Sequence, residues 1–235
     1  SGGLMQYDHG GGSVKRIFTA IGASNGMQSA LLAQAGMTGP ERILEGERGL
    51  LKIFPANYRP HILVTDLGKK WNLESSTVKP YCCCAVIHAA IDCTRQLAEE
   101  HKLRPEDIEA MDVAYTTASS DHAAIESPTD LLSMQFSTSY SLALTLIKGG
   151  NTPLEYTHES LQDGRIRDFA ARVKVRAEPS LDQYFENHRP SLVKVRTRSG
   201  AQLEKFVLDA KGSPGARLSS ADIDAKFRSQ VAGVL

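Results

Sequence analysis

Four short segments in which apolar and polar residues alternate constrain the fold of this chain most strongly. They span residues 110–117, 173–177, 191–197 and 202–209. A period of two places alternate side chains on opposite faces of a sheet, so each segment is predicted to be a strand. Ser199-Gly200 lies between the last two segments and is typical of a hairpin turn. The sequence therefore predicts an antiparallel sheet.

Helical patterns flank these strands on both sides. Residues 1–54 read as mostly helical with glycine punctuation, and a serine-capped helix is predicted after Leu218. Residues 55–78 carry turn signals around short apolar runs and read as a connector, in which Trp71 is expected to be packed. The predicted fold class is α+β, with helical segments at both chain ends and an inserted α/β unit of residues 71–205 that contains the sheet.

Charge and hydropathy exclude several classes of protein. Lysine plus arginine and aspartate plus glutamate both number 27 in 235 residues, which gives no argument for nucleic acid or an anionic membrane surface. The basic residues on the predicted strands recur at period two and are expected to form the solvated face of the sheet. No apolar run approaches the roughly 20 residues of a membrane span. The N-terminus lacks the pattern of a signal peptide.

The four cysteines favour a reduced cytoplasmic setting. Cys82, Cys83 and Cys84 are consecutive, and Cys93 lies on the helix that follows, so they form neither a disulfide framework nor a zinc-type pattern. An iron–sulfur site is the alternative for this cluster. Consecutive cysteines point their side chains in diverging directions and rarely ligate one iron centre, so no metal site is predicted.

The stretch from Lys79 to Asp92 carries most of the candidate chemistry. Pro80 biases Lys79 away from the helical region, and from about Cys84 the apolar spacing becomes helical. Cys84, His88 and Asp92 then recur every four residues on one face, as an acid/base cluster near a lysine. The competing interpretation is that His88 is a hydrogen-bonded core residue. Ser137 and Tyr140 lie one turn apart near another predicted helix start, where backbone amides favour anions.

Several separated motifs resemble the MmgE/PrpD family. The stretch at 79–92 is similar to its pattern Lys-Pro-Tyr-x-x-Cys-x-x-x-His-x-x-Ile-Asp, and Phe136-Ser-Thr-Ser-Tyr140 is similar to its Phe-Ser-x-x-Tyr helix. The Gly-Pro at 39–40 and the Leu-Glu-Gly at 44–46 match further blocks. The family includes a dehydratase, a decarboxylase and an epimerase of small polycarboxylates.

The resemblance implies a domain organisation. Residues 1–70 and 206–235 would form parts of one helical domain, and residues 71–205 would form a lid-like α/β domain. It also implies a homodimer that works without metal or cofactor. Family members extend further at the N-terminus and draw acid/base residues from that part, so this chain by itself is expected to be inactive. An isolated chain would expose Ile17, Ile21, Leu31 and Leu32, which need a partner segment or a dimer mate.

Roles for individual residues also follow from the resemblance. Lys79, His88 and Tyr140 are predicted to be catalytic. Lys15, Cys84 and Ser137 are predicted to bind substrate. Cys84 stands where decarboxylase-like members carry histidine, which favours a dehydratase.

The predicted activity is removal of water from a small di- or tricarboxylate such as 2-methylcitrate, through loss of a proton α to a carboxylate. One alternative is an epimerase that uses the same proton abstraction. Another is a non-catalytic fragment or pseudoenzyme that serves dimerisation or small-anion binding.

Overall fold

The computed structural model describes residues 3–54 and 59–232, and this part of the chain divides into two compact units. The first unit holds Gly3 and Lys15–Ser75, and the second holds Leu4–Val14 and the chain from Ser76 onward. Residues 206–232, predicted to return to the helical domain, belong to the second unit. The turn signals at residues 55 and 57 lie outside the described residues.

Helices make up most of the regular structure. Short 3₁₀ turns supplement them, among them Ala85–Ile87 and Asp121–Ala123. The α-helices are α1 (Tyr7–Gly10), α2 (Lys15–Gln34), α3 (Leu50–Ile53), α4 (His88–His101), α5 (Thr117–Ser120), α6 (Leu131–Gln135), α7 (Thr138–Ile147), α8 (His158–Gln162), α9 (Gly164–Ala170) and α10 (Ser220–Val231).

One four-stranded sheet forms the second unit's framework, and the α+β class is confirmed. Its strands are β1 (Ile108–Tyr115), β2 (Val173–Ala177), β3 (Ser191–Thr197) and β4 (Gln202–Val207), in the order β2-β1-β3-β4. The pairs β1–β3 and β3–β4 are antiparallel, as predicted. The edge pair β1–β2 is parallel, which the strand pattern did not predict. A parallel pair needs a long crossover, and α5 to α9 provide it.

Helices cover one face of this sheet and enclose the core. Helix α4 packs on β3 and β4, α7 packs on β2, and α7 lies between α4 and α9. Burial of large apolar side chains in this layer is the main stabilising contribution to the unit. The fully buried members include Ile91, Leu97, Val113, Leu142, Leu144, Ile166 and Val193.

The opposite face of the sheet is polar and exposed, as predicted. Lys174, Lys194, Arg196 and Arg198 are all exposed there. Acids on neighbouring strands offset this charge; for example, the Arg196 guanidinium lies 3.1 Å from the Glu109 carboxylate. Such a face of alternating sign is typical of a solvated sheet surface.

Helix α2 dominates the first unit, and none of its residues is buried within the described chain. The apolar side chains at residues 17, 21, 31 and 32 are between 37% and 58% exposed, as predicted for the isolated chain. Trp71 is 64% exposed, so the prediction that it is packed is wrong, because the 3₁₀ turns around it enclose no core. No helix among the described residues has the length and apolarity needed to cross a bilayer.

Candidate active site

The loop before α4 is anchored by three separate segments of the second unit. The Val78 amide donates to the Gly212 carbonyl at 2.9 Å, the Cys82 amide to the Asn151 carbonyl at 2.7 Å, and the Cys84 amide to the Gln135 carbonyl at 2.8 Å. These bonds satisfy backbone groups that would otherwise be unpaired, and they hold the loop in one conformation.

Gly212 makes the first of these contacts possible. Its φ is +90°, a conformation that favours glycine. A β-carbon there would lie 2.1 Å from the carbonyl oxygen of Val78, so any side chain would push the loop away. The loop geometry therefore depends on a glycine more than 130 residues downstream.

Two lysine side chains donate hydrogen bonds to carbonyls of this loop. The Lys79 side chain donates to the Cys83 carbonyl, and Nζ of Lys226 on α10 donates to the Lys79 carbonyl at 2.8 Å. An ammonium carries three donors, so the Lys79 bond to Cys83 leaves two for another acceptor. Lys79 is half-buried. A carboxylate at this loop would therefore meet a partly desolvated positive charge.

His88 lies behind the loop at the first position of α4 and is only 1% exposed. Within the described residues its Nε2 is buried without a hydrogen-bond partner. Burial, and secondarily the nearby Lys79 ammonium, lower the pKa of His88 from 6.5 to about 4. His88 is therefore neutral near pH 7, and it packs edge-on against Tyr81 with ring centroids 5.1 Å apart.

Asp92 on α4 links the loop to the helix through hydrogen bonds. Its carboxylate is 8% exposed and accepts a hydrogen bond from the Tyr81 hydroxyl through Oδ1. Its Oδ2 accepts from the Lys211 amide at 2.7 Å. Burial, followed by the charge of Asp92, raises the pKa of Tyr81, so the phenol stays protonated and donates. Asp92 thus joins the Tyr81 loop, helix α4 and the loop before α10.

Cys84 lies at the turn between the loop and the 3₁₀ helix Ala85–Ile87, and it is half-buried. The predicted helix start at Cys84 is therefore a 3₁₀ turn, and α4 proper begins at His88. Burial raises the pKa of the Cys83 and Cys93 thiols to about 12, which keeps both protonated. Among the described residues, no three histidine, cysteine or acidic side chains converge as metal ligands.

Ser137 and Tyr140 lie at the start of α7. Ser137 is fully buried, and its hydroxyl caps the helix by accepting from the Tyr140 amide at 3.3 Å. Tyr140 lines a cavity of about 770 Å³ together with Ser139 and Arg167. Lys79, Cys84 and His88 do not line this cavity. The roles predicted for Ser137 and Tyr140 stay predictions.

Lys15 opens α2 in the first unit and is exposed. Its predicted role in binding substrate stays a prediction. Of the six predicted site residues, the structure brings Lys79, Cys84 and His88 together at one loop–helix junction.

A second polar cluster, which the sequence did not predict as a site, lies beside this junction. Asp8 on α1 is 2% exposed, and its Oδ2 lies 2.7 Å from Nδ1 of His122. Nε2 of His9 lies 3.7 Å from Asp8 Oδ1 and 3.3 Å from Asp121 Oδ2. The partners are 114 positions apart in the chain, which leaves no local sequence signal for their contact.

Family models match the chain in two places. The MmgE/PrpD N-terminal domain matches residues 1–62, and the MmgE/PrpD C-terminal domain matches residues 81–235, which is more than half of the chain. The chain belongs to the MmgE/PrpD family. The resemblance inferred from the separated motifs is thereby confirmed.

This MmgE/PrpD chain is similar to two named relatives. It is 25% identical to the cis-aconitate decarboxylase of Aspergillus terreus over 222 residues, which cover 87% of this chain and 45% of that protein. It is 33% identical to the cis-aconitate decarboxylase-like protein oryM of Aspergillus oryzae over 110 residues, covering 43% of this chain and 22% of that protein. The chain therefore spans less than half the length of these relatives.

Proposed function

We propose that this chain is part of a lyase that removes water from a small di- or tricarboxylate such as 2-methylcitrate. The observation that carries the proposal is that the ammonium groups of Lys79 and Lys226 both donate to carbonyls of one anchored loop in an MmgE/PrpD chain. A carboxylate substrate needs fixed cations, both for binding and for the charge that develops when its α-proton leaves. The named relatives support a small polycarboxylate as substrate.

In this mechanism Lys79 binds the carboxylate next to the reacting carbon. As the C–H bond breaks, the electron pair moves toward that carboxylate, and the half-buried ammonium stabilises the resulting enolate. Neutral His88 lies directly behind the loop and contributes no charge that would repel Lys79. Cys84 lies on the same junction and would line the substrate site. No metal or cofactor is part of the proposed reaction, and the reducing cytoplasmic setting remains a prediction.

Decarboxylation is a second candidate, which the names of the relatives favour. It would use the same carboxylate site, but carbon dioxide would leave and the carbon would gain a proton. By resemblance, Cys84 replaces the histidine of decarboxylase-like members, and for this reason we place dehydration first. Proton NMR of the intact protein with 2-methylcitrate, citrate and cis-aconitate separates the two, because dehydration and decarboxylation leave organic products with different vinyl and methylene protons. Turnover of none of these acids would favour the non-catalytic alternative.

Replacing Lys79 tests the site directly. We expect Lys79→Ala to lower kcat/KM by at least ~100-fold, because the variant loses a cation that acts mainly on the transition state. Lys174→Ala, on the exposed face of the sheet, is the matched control and should keep normal turnover. A loss of less than about threefold in Lys79→Ala would remove Lys79 from the site.

A further inference from the structure

In the pair formed by Asp8 and His122, a hydrogen bond to the carboxylate holds the imidazole ring in one orientation. A carboxylate can only accept, so Nδ1 of His122 donates its proton to Asp8 across 2.7 Å. This bond fixes the tautomer and leaves the lone pair on Nε2. Within the described residues, that Nε2 has no hydrogen-bond partner. The two side chains differ sharply in exposure, with His122 45% exposed and Asp8 2% exposed.

The segment that carries Asp8 is fastened to the rest of the second unit. The Gly12 amide donates to Asp130 at 2.6 Å, and the same carboxylate caps α6 by accepting from the Ser133 amide at 2.7 Å. The Tyr7 ring packs on Phe136 with centroids 5.7 Å apart. These contacts fix the position of the segment that carries Asp8. The Asp8 carboxylate therefore orients His122 at no further cost in conformational entropy.

This pair lies next to the Lys79 junction. The 3₁₀ helix Asp121–Ala123, which carries His122, contacts the 3₁₀ helix Ala85–Ile87 between Cys84 and His88. Tyr7, the neighbour of Asp8, lies near Cys84: burial, then Asp8, then the proximity of Cys84 raise the pKa of the Tyr7 phenol. His122 and the Lys79 loop therefore both adjoin the 3₁₀ helix Ala85–Ile87.

The proposed reaction requires a base that substrate can reach. His88 is 1% exposed, so it cannot contact a substrate carbon without rearrangement of the loop in front of it. The Lys79 side chain is a cation and acts as an electrostatic group rather than as a base. Within this chain an exposed imidazole with a fixed tautomer meets the requirement, and it would act beside the acid/base residues that the resemblance places further toward the N-terminus. General acid/base groups of this kind contribute about 10²- to 10⁴-fold to rate.

We propose that His122, oriented by Asp8, is the general base that removes the α-proton of the carboxylate substrate. This proposal rests on the proposed function and adds a catalytic residue to it. Asp8 is a positioning residue, because it acts through His122. His9 and Asp121, which also face the pair, complete its charged surroundings.

The proton transfers balance within this pair. The substrate C–H bond breaks, its proton moves to Nε2 of His122, and the electron pair remains on the substrate as the enolate held by Lys79. The Asp8 carboxylate stabilises the imidazolium that forms. When the C–O bond on the adjacent carbon breaks, the imidazolium returns the same proton to the departing hydroxyl, which leaves as water. The enolate electron pair becomes the new double bond.

Three variants of the intact protein test this assignment. We expect His122→Ala to lower kcat by at least ~100-fold with little change in KM, and added imidazole to restore part of the rate. Asp8→Asn should lower kcat by at least ~10-fold, because an amide can hold the ring in the wrong tautomer. His101→Gln, at the exposed end of α4, is the matched control. Thermal unfolding of each variant checks that the fold is kept.

The outcomes separate the two proposals. Turnover by His122→Ala within about threefold of wild type, while Lys79→Ala is inactive, would overturn the role of His122 and leave the lyase in place. A loss in His122→Ala that imidazole does not relieve would also count against a general base. If the wild-type protein turns over none of the three acids, the proposed function fails, and the role of His122 fails with it.

Discussion

His88 and Cys84 show how far accessibility can differ between side chains four residues apart. Cys84 lies on the turn before α4 and is half-buried, whereas His88 opens the helix and is fully buried. The spacing predicted that both share one helical face. Because Cys84 precedes the helix, that face begins only at His88. His88 lies in the core, as one of its two interpretations states, and its predicted catalytic role stays a prediction.

The buried imidazole predicts a pH dependence of stability. The folded-state pKa of His88 is about 4, below its ordinary 6.5, so the unfolded chain binds this proton first. Stability should be fully present above pH 6.5 and fall as the pH drops toward 4, by about 3 kcal/mol in the free energy of unfolding. Urea unfolding at pH 7, 5.5 and 4.5 measures this slope, and His88→Gln should flatten it. An equal slope in His88→Gln and His101→Gln would contradict the prediction.

Helix α4 is positioned by a polar side chain in its middle as well as by its apolar face. Asp92 accepts from Tyr81 on the preceding loop and from the Lys211 amide, 119 residues away along the chain. The Arg95 guanidinium, one turn further on, lies 5.6 Å from the centre of the Tyr81 ring. One carboxylate thereby fixes the angle between the Lys79 loop and the helix. Its removal affects both elements together.

The effect of Asp92 on stability can be measured. We expect Asp92→Ala to lower the free energy of unfolding by about 2–4 kcal/mol, because it leaves the buried Tyr81 hydroxyl and the Lys211 amide without an acceptor. Asp92→Asn keeps one acceptor oxygen and should cost less. Asp121→Ala, whose carboxylate is 72% exposed, is the control. Urea titration measures the free energy of unfolding of each variant. Equal stability of Asp92→Ala and the control would show that the Asp92 hydrogen bonds are dispensable.

The whole chain combines a well-packed second unit with a first unit that has little core of its own. Helix α2 exposes apolar side chains along its length, and Met27 is 70% exposed. Patches of this kind mark surfaces that are covered by other protein. The homodimer predicted from the resemblance would supply such a cover through a second copy of the chain.

Self-association through α2 is the corresponding prediction. Light scattering after gel filtration should give this 235-residue chain a mass above that of one copy. A double variant, Ile17→Glu with Leu31→Glu, places charges on the exposed apolar face and should shift the chain toward a single copy. Lys194→Glu on the polar face of the sheet is the control. A monomeric wild-type chain would exclude association through this surface.

Local patterns in the sequence were sufficient to predict most of the elements. The alternation at 173–177, 191–197 and 202–209 predicted three strands, and a helix start was predicted near Ser137, where α7 begins. Both patterns depend on which face of the element is buried. Apolar residues on a buried face recur every two residues in a strand and every three to four residues in a helix, so a short segment is enough to reveal them. The junction of Lys79, Cys84 and His88 was predictable for the same reason, since fewer than ten residues separate its members.

The tertiary structure alone decided how distant segments combine. The parallel pairing of β1 with β2 carries no signal in either strand, because alternation reports a face and not a partner. The contacts of Asp92 with Lys211 and of Asp8 with His122 each span more than a hundred residues. The sequence by itself determined the family, the elements and the lysine–cysteine–histidine junction. Only the folded chain shows which imidazole is buried and which one a substrate can reach, because accessibility depends on everything packed around a side chain.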